Sequence, residues 1–275
     1  MSGGKRVRAF APGRTEIAGN HVDHQGGRVI AATVGQGVEV VLEPAGGHHA
    51  HLISEGFGPV DLDVRDVDPR PGEEGSSRAL VRGMVAQCKA AGVPVGGFSG
   101  RVRSTVPSGG GLSSSAAFEL AVGAGLARLF ADETLDPLQL ALMGQAAERD
   151  YFGKPCGLMD QAAIAFGGVE AMDFSADEAR VEAVDFSFAE AGLAVCLVDV
   201  GADHAGLTPL YAQIPLDMRA AAEFFGARRL CDVPEDRFFV GFDRLRAQEG
   251  DRVALRCAWS TSGSSPCDRA MSGLF

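Results

Sequence analysis

The sequence lacks the features of nucleic-acid-binding, membrane-spanning and disulfide-stabilised proteins. Its six cysteines include no CxxC pair, which argues against a zinc knuckle or a disulfide framework and favours reduced thiols. The 25 Lys and Arg are outnumbered by 36 Asp and Glu, and no basic run is present to bind nucleic acid or anionic lipid. No signal-peptide segment begins the chain, and the most apolar stretch, residues 192–200, is too short to cross a bilayer. We therefore expect a cytoplasmic protein with no nucleic-acid or membrane partner.

The composition is that of a globular protein with room for one or two domains. The chain has 275 residues, of which 46% are hydrophobic and 22% charged. Apolar or alternating runs predict strands over residues 7–11, 38–42, 60–64, 98–106 and 193–200, and helical spacing predicts helices over 78–91, 113–130 and 137–151. Because these elements do not form a regular βαβ repeat, the fold class is predicted to be α+β.

A glycine triplet lies between a predicted strand and a predicted helix, in the segment PSGGGLSSSAAFEL that begins at Pro107. Glycines let the backbone approach an anion, and the free amides at Ser113 to Ser115 add the positive end of the helix dipole. The serine hydroxyls can also bind Mg²⁺. The segment is neither a Walker A loop nor GxGxxG. The alternative is a glycine-rich turn in which a serine caps the helix.

A second polar segment, APGRTEIAGNHVDHQGG, covers residues 11–27 and is predicted to be a loop. His21 and Asp23 are two residues apart, so an extended backbone would point both side chains the same way, which suits the neighbouring hydroxyls of a sugar. A metal site formed with His24 is a weaker alternative, because no fourth ligand is indicated. The segment could also be a solvated turn.

A third segment, GKPCGLMDQ, begins at Gly153 and places Asp160 among apolar and small residues. An aspartate in such surroundings is either paired or used as a base, and Arg14 is its natural partner. The alternative is a helix cap. Glu148, on the preceding predicted helix, is either a surface charge or a Mg²⁺ ligand.

The three segments, in this order, resemble the galactokinase branch of the GHMP kinase superfamily: the second resembles its sugar signature, the first its phosphate loop and the third its catalytic-aspartate segment. Residues 203–226 are similar to the region whose tyrosine approaches the sugar. The resemblance implies a two-domain α+β fold, with a ribosomal protein S5 domain 2-like N-terminal domain and a ferredoxin-like C-terminal domain. It also implies an ATP- and Mg²⁺-dependent kinase that makes galactose 1-phosphate, acting on a small sugar as a monomer.

The resemblance assigns roles to individual residues. Asp160 would accept or orient the proton of the sugar C1 hydroxyl, and Arg14 would stabilise charge on the transferring phosphoryl group. Ser115 and Glu148 match the Mg²⁺ positions. The residues expected to hold the galactose hydroxyls are Asn20, His21, Asp23, Gly157 and Tyr211. Those expected to hold the ATP phosphates are Pro107, Ser108, Gly109, Gly110, Gly111, Leu112, Ser113, Ser114 and Ser115.

Two departures from the family pattern bear on function. Most galactokinases carry glutamate where this chain has Asn20, which bonds a hydroxyl without charge, so a kinase for another hexose or an N-acetylhexosamine is an alternative. The chain also stops before the family's third, glycine-rich motif. An inactive fragment or a sugar-binding protein is therefore a further alternative.

The sequence predicts three regions. An N-terminal kinase domain is expected over residues 1–190, a partial C-terminal domain over 191–256, and an aberrant tail without helical or strand period over 257–275. The tail holds the single tryptophan and two of the six cysteines, and this change of composition is the basis for hypothesising a reading-frame change near Cys257. A natural flexible tail is the alternative.

Overall fold

The structure, a computed structural model, describes residues 5–19, 22–55, 58–107, 110–198 and 208–261. The strands are β1 (Val7–Ala18), β2 (Arg28–Pro44), β3 (His49–Ser54), β4 (Val60–Asp63), β5 (Phe98–Ser104), β6 (Val169–Asp173) and β7 (Arg180–Ala183). The helices are α1 (Ser77–Ala90), α2 (Ser114–Phe130), α3 (Pro137–Ala146), α4 (Met159–Phe166), α5 (Thr208–Phe224), α6 (Glu235–Glu249) and α7 (Asp251–Thr261), with a π-helical turn at Ala147–Phe152. Among the described residues, no helix combines the length and apolarity needed to span a membrane.

The chain divides into two compact units. The first contains Met1–Thr15 and Thr33–Gly167, and the second contains Glu16–Ala32 and Gly168–Phe275, so β1 and β2 contribute residues to both. These units are defined by packing, whereas the boundary predicted at residue 190 separates family domains. That boundary therefore stays a prediction.

The first unit packs helices α1 to α4 with a mixed sheet whose strand order is β4-β3-β5-β2. Strand β3 runs parallel to β5, and the β3–β4 and β2–β5 pairs are antiparallel. Apolar side chains from alternate strand positions and from one face of each helix form its core, which includes Leu42, Leu52, Met84, Phe98 and Leu120. This core supports the two ends of the candidate site, the start of α2 and the start of α4.

The helix predicted over 137–151 starts and ends at signals in its sequence. Asp136 accepts a hydrogen bond from the Gln139 amide at 3.1 Å, and Pro137 occupies the first turn of α3. Gly153 ends the π-helical turn in a left-handed conformation, with φ at 80°. The prediction of a helix that starts after Asp136 and stops at Gly153 is therefore confirmed, although its last part is π-helical.

The second unit has β6 between β2 and β7 in antiparallel pairing, together with helices α5, α6 and α7. Its core lies between the helices and includes Ala221, Phe238, Leu245, Ala254 and Cys257. The prediction of an irregular tail from Cys257 is wrong at its first residues, because α7 continues to Thr261 and Cys257 is fully buried. Residues 262–275 lie outside the described residues.

Two further predictions of local structure are wrong. Residues 11–18 were expected in a loop, but they continue β1, so Arg14 lies on a strand. A buried strand was expected over residues 193–200, but the described part, 193–198, is exposed and forms no strand, with Val198 83% exposed. Hydrophobicity alone predicted that strand, and burial needs a packing partner as well as apolar side chains.

Candidate active site

The glycine-rich loop leads into α2 through strained backbone. Gly111 and Ser113 have positive φ angles of 73° and 56°. This conformation is sterically strained for serine but not for glycine. Ser113 stands at the cap position of α2, yet its side chain does not cap the helix. A serine thus occupies the cap position, as the alternative interpretation predicted, but its hydroxyl does not bond the amides that open α2. Amides at a helix start are the donors that an anion site uses. Ser108 and Gly109 lie outside the described residues.

The Ser113 hydroxyl instead donates to Oδ2 of Asp160 at 2.5 Å. Asp160 lies in the first turn of α4 without capping it, because the cap position is Leu158. The opposite oxygen, Oδ1, accepts from Nε and Nη2 of Arg14 at 2.8 and 2.7 Å. The predicted pairing of Arg14 with Asp160 is confirmed, and it joins residues 146 positions apart in the chain.

Arg14 is held in place from its backbone to its guanidinium. Its amide donates to the Leu112 carbonyl at 3.2 Å, and its Nη1 donates to the Gly111 carbonyl at 2.8 Å. A Cβ on Gly13 would lie 2.9 Å from the Leu112 oxygen, so glycine is needed for this close approach. Arg14 is only 6% exposed, and the loop therefore sets the position of a buried cation.

Ser115 and Glu148, the predicted magnesium residues, are in direct contact. The Ser115 hydroxyl donates to Oε1 of Glu148 at 2.7 Å, and Glu148 is fully buried. A carboxylate with a hydroxyl is the small oxygen-ligand set that suits Mg²⁺, which completes its octahedron with waters and phosphate oxygens. The donor chemistry fits the ion. The surface-charge alternative for Glu148 is wrong.

A third group, the ammonium of Lys154, reaches the same carboxylate oxygen at 2.9 Å. Burial by itself would lower the pKa of Lys154, but the charges of Glu148 and Asp160 outweigh burial and raise it. Lys154 is therefore charged and sits beside both acids of the site.

Two buried side chains that sequence reasoning missed extend the site inward. Gln161 Nε2 donates to Oε2 of Glu148 at 2.6 Å and to Oε1 of Glu119 at 2.9 Å. Burial and the nearby Glu148 charge raise the pKa of Glu119 well above its usual range. A signal was available for Glu119, which lies four residues after Ser115 on the same face of α2. For Gln161, the sequence signal was weak, because it consisted only of the position next to Asp160.

A cavity of about 680 Å³ opens beside the first turn of α2 within the first unit. Its lining includes the hydroxyl residues Ser114 and Ser115 and the apolar side chains of Val102, Val106 and Phe118. A phosphate group at the helix start and an apolar ring beside these side chains would match those residues.

The residues expected to bind sugar are described only in part. Asn20 and His21 lie outside the described residues, as does the side chain of Tyr211. In the second unit, Asp23 is buried in a short 3-10 turn, with its Oδ1 3.5 Å from Nδ1 of His24. In the first unit, Gly157 lies in the loop before α4. Their common role in sugar binding stays a prediction. No cluster of three or more His, Cys, Asp or Glu side chains forms a metal site in the part of the chain that the structure describes.

Comparison with protein families identifies two segments of the chain. The family of GHMP kinases N terminal domain matches residues 79–168, and the galactokinase galactose-binding signature matches residues 2–44. The first match contains the glycine-rich loop, Glu148 and Asp160, and the second contains Arg14.

Two curated relatives match longer parts of the chain than either family model does. A galactokinase of Streptomyces coelicolor is 32% identical over 252 residues, which is 90% of this chain and 64% of the relative. A galactokinase of Lactococcus lactis subsp. cremoris is 37% identical over 165 residues, which is 58% of this chain and 41% of the relative. The chain thus spans between 41% and 64% of the length of these relatives.

Solved structures share the fold. The crystal structure of Lactococcus lactis galactokinase complexed with galactose has a TM-score of 0.78 at 24% identity, covering 98% of this chain and 70% of that one. Methanococcus jannaschii mevalonate kinase has a TM-score of 0.56 at 15% identity, covering 69% of this chain and 58% of that one. The predicted α+β GHMP kinase fold is confirmed. Together, the two family matches and the curated relatives show that the chain is similar in sequence to galactokinases, and the solved structures show that it shares the GHMP kinase fold.

Proposed function

We propose that the chain transfers the γ-phosphate of ATP to the C1 hydroxyl of galactose and so forms galactose 1-phosphate. The observation that carries this proposal is the fixed position of Asp160, whose two oxygens are held by Arg14 and Ser113 at the entrance of a phosphate-binding loop. A kinase that positions its reactants needs such a carboxylate beside an anion site.

Asp160 would accept or orient the proton of the attacking hydroxyl. Its bonds from Arg14 and Ser113 orient the carboxylate before substrate arrives, which lowers the reorganisation needed in the transition state. Arg14 would share its charge between Asp160 and the transferring phosphoryl group. Little covalent chemistry is required of the protein.

The nucleotide would place its phosphates at the amides that open α2 and in the loop from Pro107 to Ser115, and its base in the neighbouring cavity. Ser115 and Glu148 would hold Mg²⁺, which, when bound, neutralises charge on the phosphate oxygens. Asn20, His21, Asp23, the Gly157 backbone and Tyr211 would hold the galactose hydroxyls.

We infer a cytoplasmic monomer for the same reaction. The five described cysteines, Cys88, Cys156, Cys196, Cys231 and Cys257, are free thiols, which supports a reducing compartment. Arg14, Ser115, Glu148 and Asp160 all lie in the first unit, so the proposed phosphoryl transfer needs none of these groups from a second copy.

The test is ATP-dependent phosphorylation of galactose by the full chain, with Arg14→Lys as the variant. Lysine keeps the charge but loses the planar fork that bonds both Asp160 and the loop, so we expect kcat to fall about 10²-fold. Arg252→Lys is the matched control, because Arg252 pairs with Asp217 in the second unit. We expect this variant to phosphorylate galactose at the parent rate. Equal rates for Arg14→Lys and the parent would refute the proposal.

A substrate panel tests the sugar. Glucose and N-acetylgalactosamine each differ from galactose at a single carbon: glucose has the C4 hydroxyl inverted, and N-acetylgalactosamine has an acetamido group in place of the C2 hydroxyl. A site that bonds particular hydroxyls discriminates strongly against sugars in which they are displaced or missing. We expect galactose to give the highest kcat/KM. A preference for the N-acetylated sugar would transfer the assignment to an N-acetylhexosamine kinase.

A further inference from the structure

The Glu148 carboxylate is fully buried and accepts hydrogen bonds from the Cys156 thiol and from three stronger donors. Ser115 Oγ and Lys154 Nζ donate to Oε1 at 2.7 and 2.9 Å, and Gln161 Nε2 donates to Oε2 at 2.6 Å. Of these three donors, only Lys154 carries a positive charge. A buried carboxylate is costly unless a charge of opposite sign balances it, so Lys154 supplies the neutralising charge.

The backbone holds Lys154 in a position to do this. Gly153 ends the π-helical turn, and the Lys154 amide then donates to the backbone carbonyl of Glu148 at 3.1 Å. The same two residues are thus joined by a backbone bond and by a side-chain bond. Burial acts on the Lys154 ammonium, but the side chain as a whole is 42% exposed. Rotation of the side chain would therefore carry the ammonium from the carboxylate to solvent without breaking the backbone bond.

The other cation of the site is already committed. The Arg14 guanidinium bonds Asp160 and the Gly111 carbonyl, so a balancing charge for Glu148 must come from Lys154 or from a bound metal ion. Both would use the same oxygen, because Ser115 and Lys154 converge on Oε1.

We propose that Lys154 is a built-in counter-ion of the Ser115–Glu148 pair, and that a divalent cation binds there by displacing the Lys154 ammonium from Glu148. This inference rests on the proposed function, which makes Ser115 and Glu148 the metal-binding pair. Lys154 would then be a positioning residue that stabilises the metal-free chain and weakens its affinity for a free divalent cation.

Direct metal binding tests the displacement. Mn²⁺ is titrated into the full chain without nucleotide or sugar, and its affinity is measured from water-proton relaxation. Removing a competing charge a few ångströms away should tighten Mn²⁺ binding about tenfold in Lys154→Met. Lys5→Met is the matched control, because Lys5 pairs with exposed Asp132 at 3.1 Å, and its affinity should equal that of the parent.

A double variant checks where the ion binds. Adding Glu148→Gln to Lys154→Met should remove the gain in affinity. Equal or weaker Mn²⁺ binding by Lys154→Met would overturn the inference, as would a gain that persists in the double variant or an absence of binding to both proteins. Because neither sugar nor nucleotide is present, a chain that binds Mn²⁺ as expected but fails to phosphorylate galactose would contradict only the proposed function.

Thermal unfolding gives a second readout. Without metal, Lys154→Met leaves Glu148 unbalanced and should melt below the parent, and Mn²⁺ should raise its melting temperature more than it raises that of the parent. If Lys154→Met does not fold without metal, Lys154→Gln keeps a neutral donor for Glu148 and should show the same ordering. Equal Mn²⁺-induced shifts in variant and parent would contradict the displacement.

Discussion

Each unit of the chain buries an aspartate against arginine side chains, and the two pairs differ in what surrounds them. In the first unit, Asp160 and Arg14 have side chains that are 13% and 8% exposed, and they lie between a glycine-rich loop and a helix start. In the second, Asp217 is 2% exposed, but its partners Arg252 and Arg256 are 63% and 30% exposed. In the Arg14–Asp160 pair both side chains are largely buried, whereas Asp217 is buried and its arginine partners extend to the surface.

The bonds around Asp217 show what its pair does. Arg252 on α7 donates to both carboxylate oxygens at 3.1 Å, and Gln213 on α5 donates to Oδ1 at 2.8 Å. The aspartate therefore ties α5 to α7. The same kind of ion pair thus lies beside a glycine-rich loop in the first unit and joins two helices in the second.

Asp160→Asn should produce the largest difference between the units. The amide keeps the shape but cannot take a proton and places a donor toward Arg14 or Ser113, so we expect kcat for galactose phosphorylation to fall about 10²- to 10⁴-fold. Asp217→Asn, the same exchange in the second unit, should retain the parent rate per folded molecule. A comparable loss of rate in both variants would remove the distinction between the pairs.

Asp217→Asn should instead lower stability. Loss of one charged acceptor for Arg252 and Arg256 should reduce the free energy of unfolding by about 2 kcal/mol, measured by denaturant titration. Asp177→Asn is the control, because the Asp177–Arg228 pair is exposed on both sides and its loss should lower the free energy of unfolding less than the loss of Asp217 does. Equal stability of the two variants would show that α7 does not depend on Asp217.

Glu119 should make stability depend on pH. Burial raises the pKa of Glu119 well above its ordinary value of 4.5, so the folded chain holds this proton more tightly than the unfolded chain does. The contribution is full below pH 4.5 and is lost as the pH rises toward the folded pKa, at up to about 1.4 kcal/mol per pH unit. Glu119→Gln should remove that slope when unfolding is measured from pH 4 to about 8. An identical pH dependence for variant and parent would show that Glu119 is ionised in the folded chain.

The smallest expected effect is a difference in stability between variants at the starts of two helices of the first unit, α3 and α2. Asp136→Ala removes a side-chain cap from α3 and should cost about 1 kcal/mol of stability. Ser113→Ala removes no cap from α2, so its main expected effect is a lower rate, through loss of the hydroxyl that bonds Asp160. The comparison uses thermal melts of both variants and would fail if Ser113→Ala were the less stable of the two.

Much of the fold was predictable because its signals are local. The cap at Asp136, the stop at Gly153 and the strand–glycine–helix order at Gly111 are all encoded within a few residues. The strand expected over 193–200 was wrong in its described part, 193–198, and the irregular tail expected from Cys257 was wrong at its first residues, 257–261. Both predictions rested on composition, which does not specify how segments pack. Residues 193–198 are mostly apolar yet exposed, whereas Cys257 is buried in the core of the second unit.

The sequence by itself indicated the likeness to galactokinases, the glycine-rich loop before α2 and the acids and cation that lie beside it, since these depend on residue type and order. It also indicated the pairing of Arg14 with Asp160, because a lone buried aspartate needs a partner of opposite charge. Tertiary structure alone decided that Ser113 binds Asp160 instead of capping α2, that Gln161 links Glu119 to Glu148, and that Lys154 meets Glu148 at the oxygen bonded by Ser115. The physical reason is that side-chain contacts between elements depend on how helices and strands pack, which local patterns do not specify.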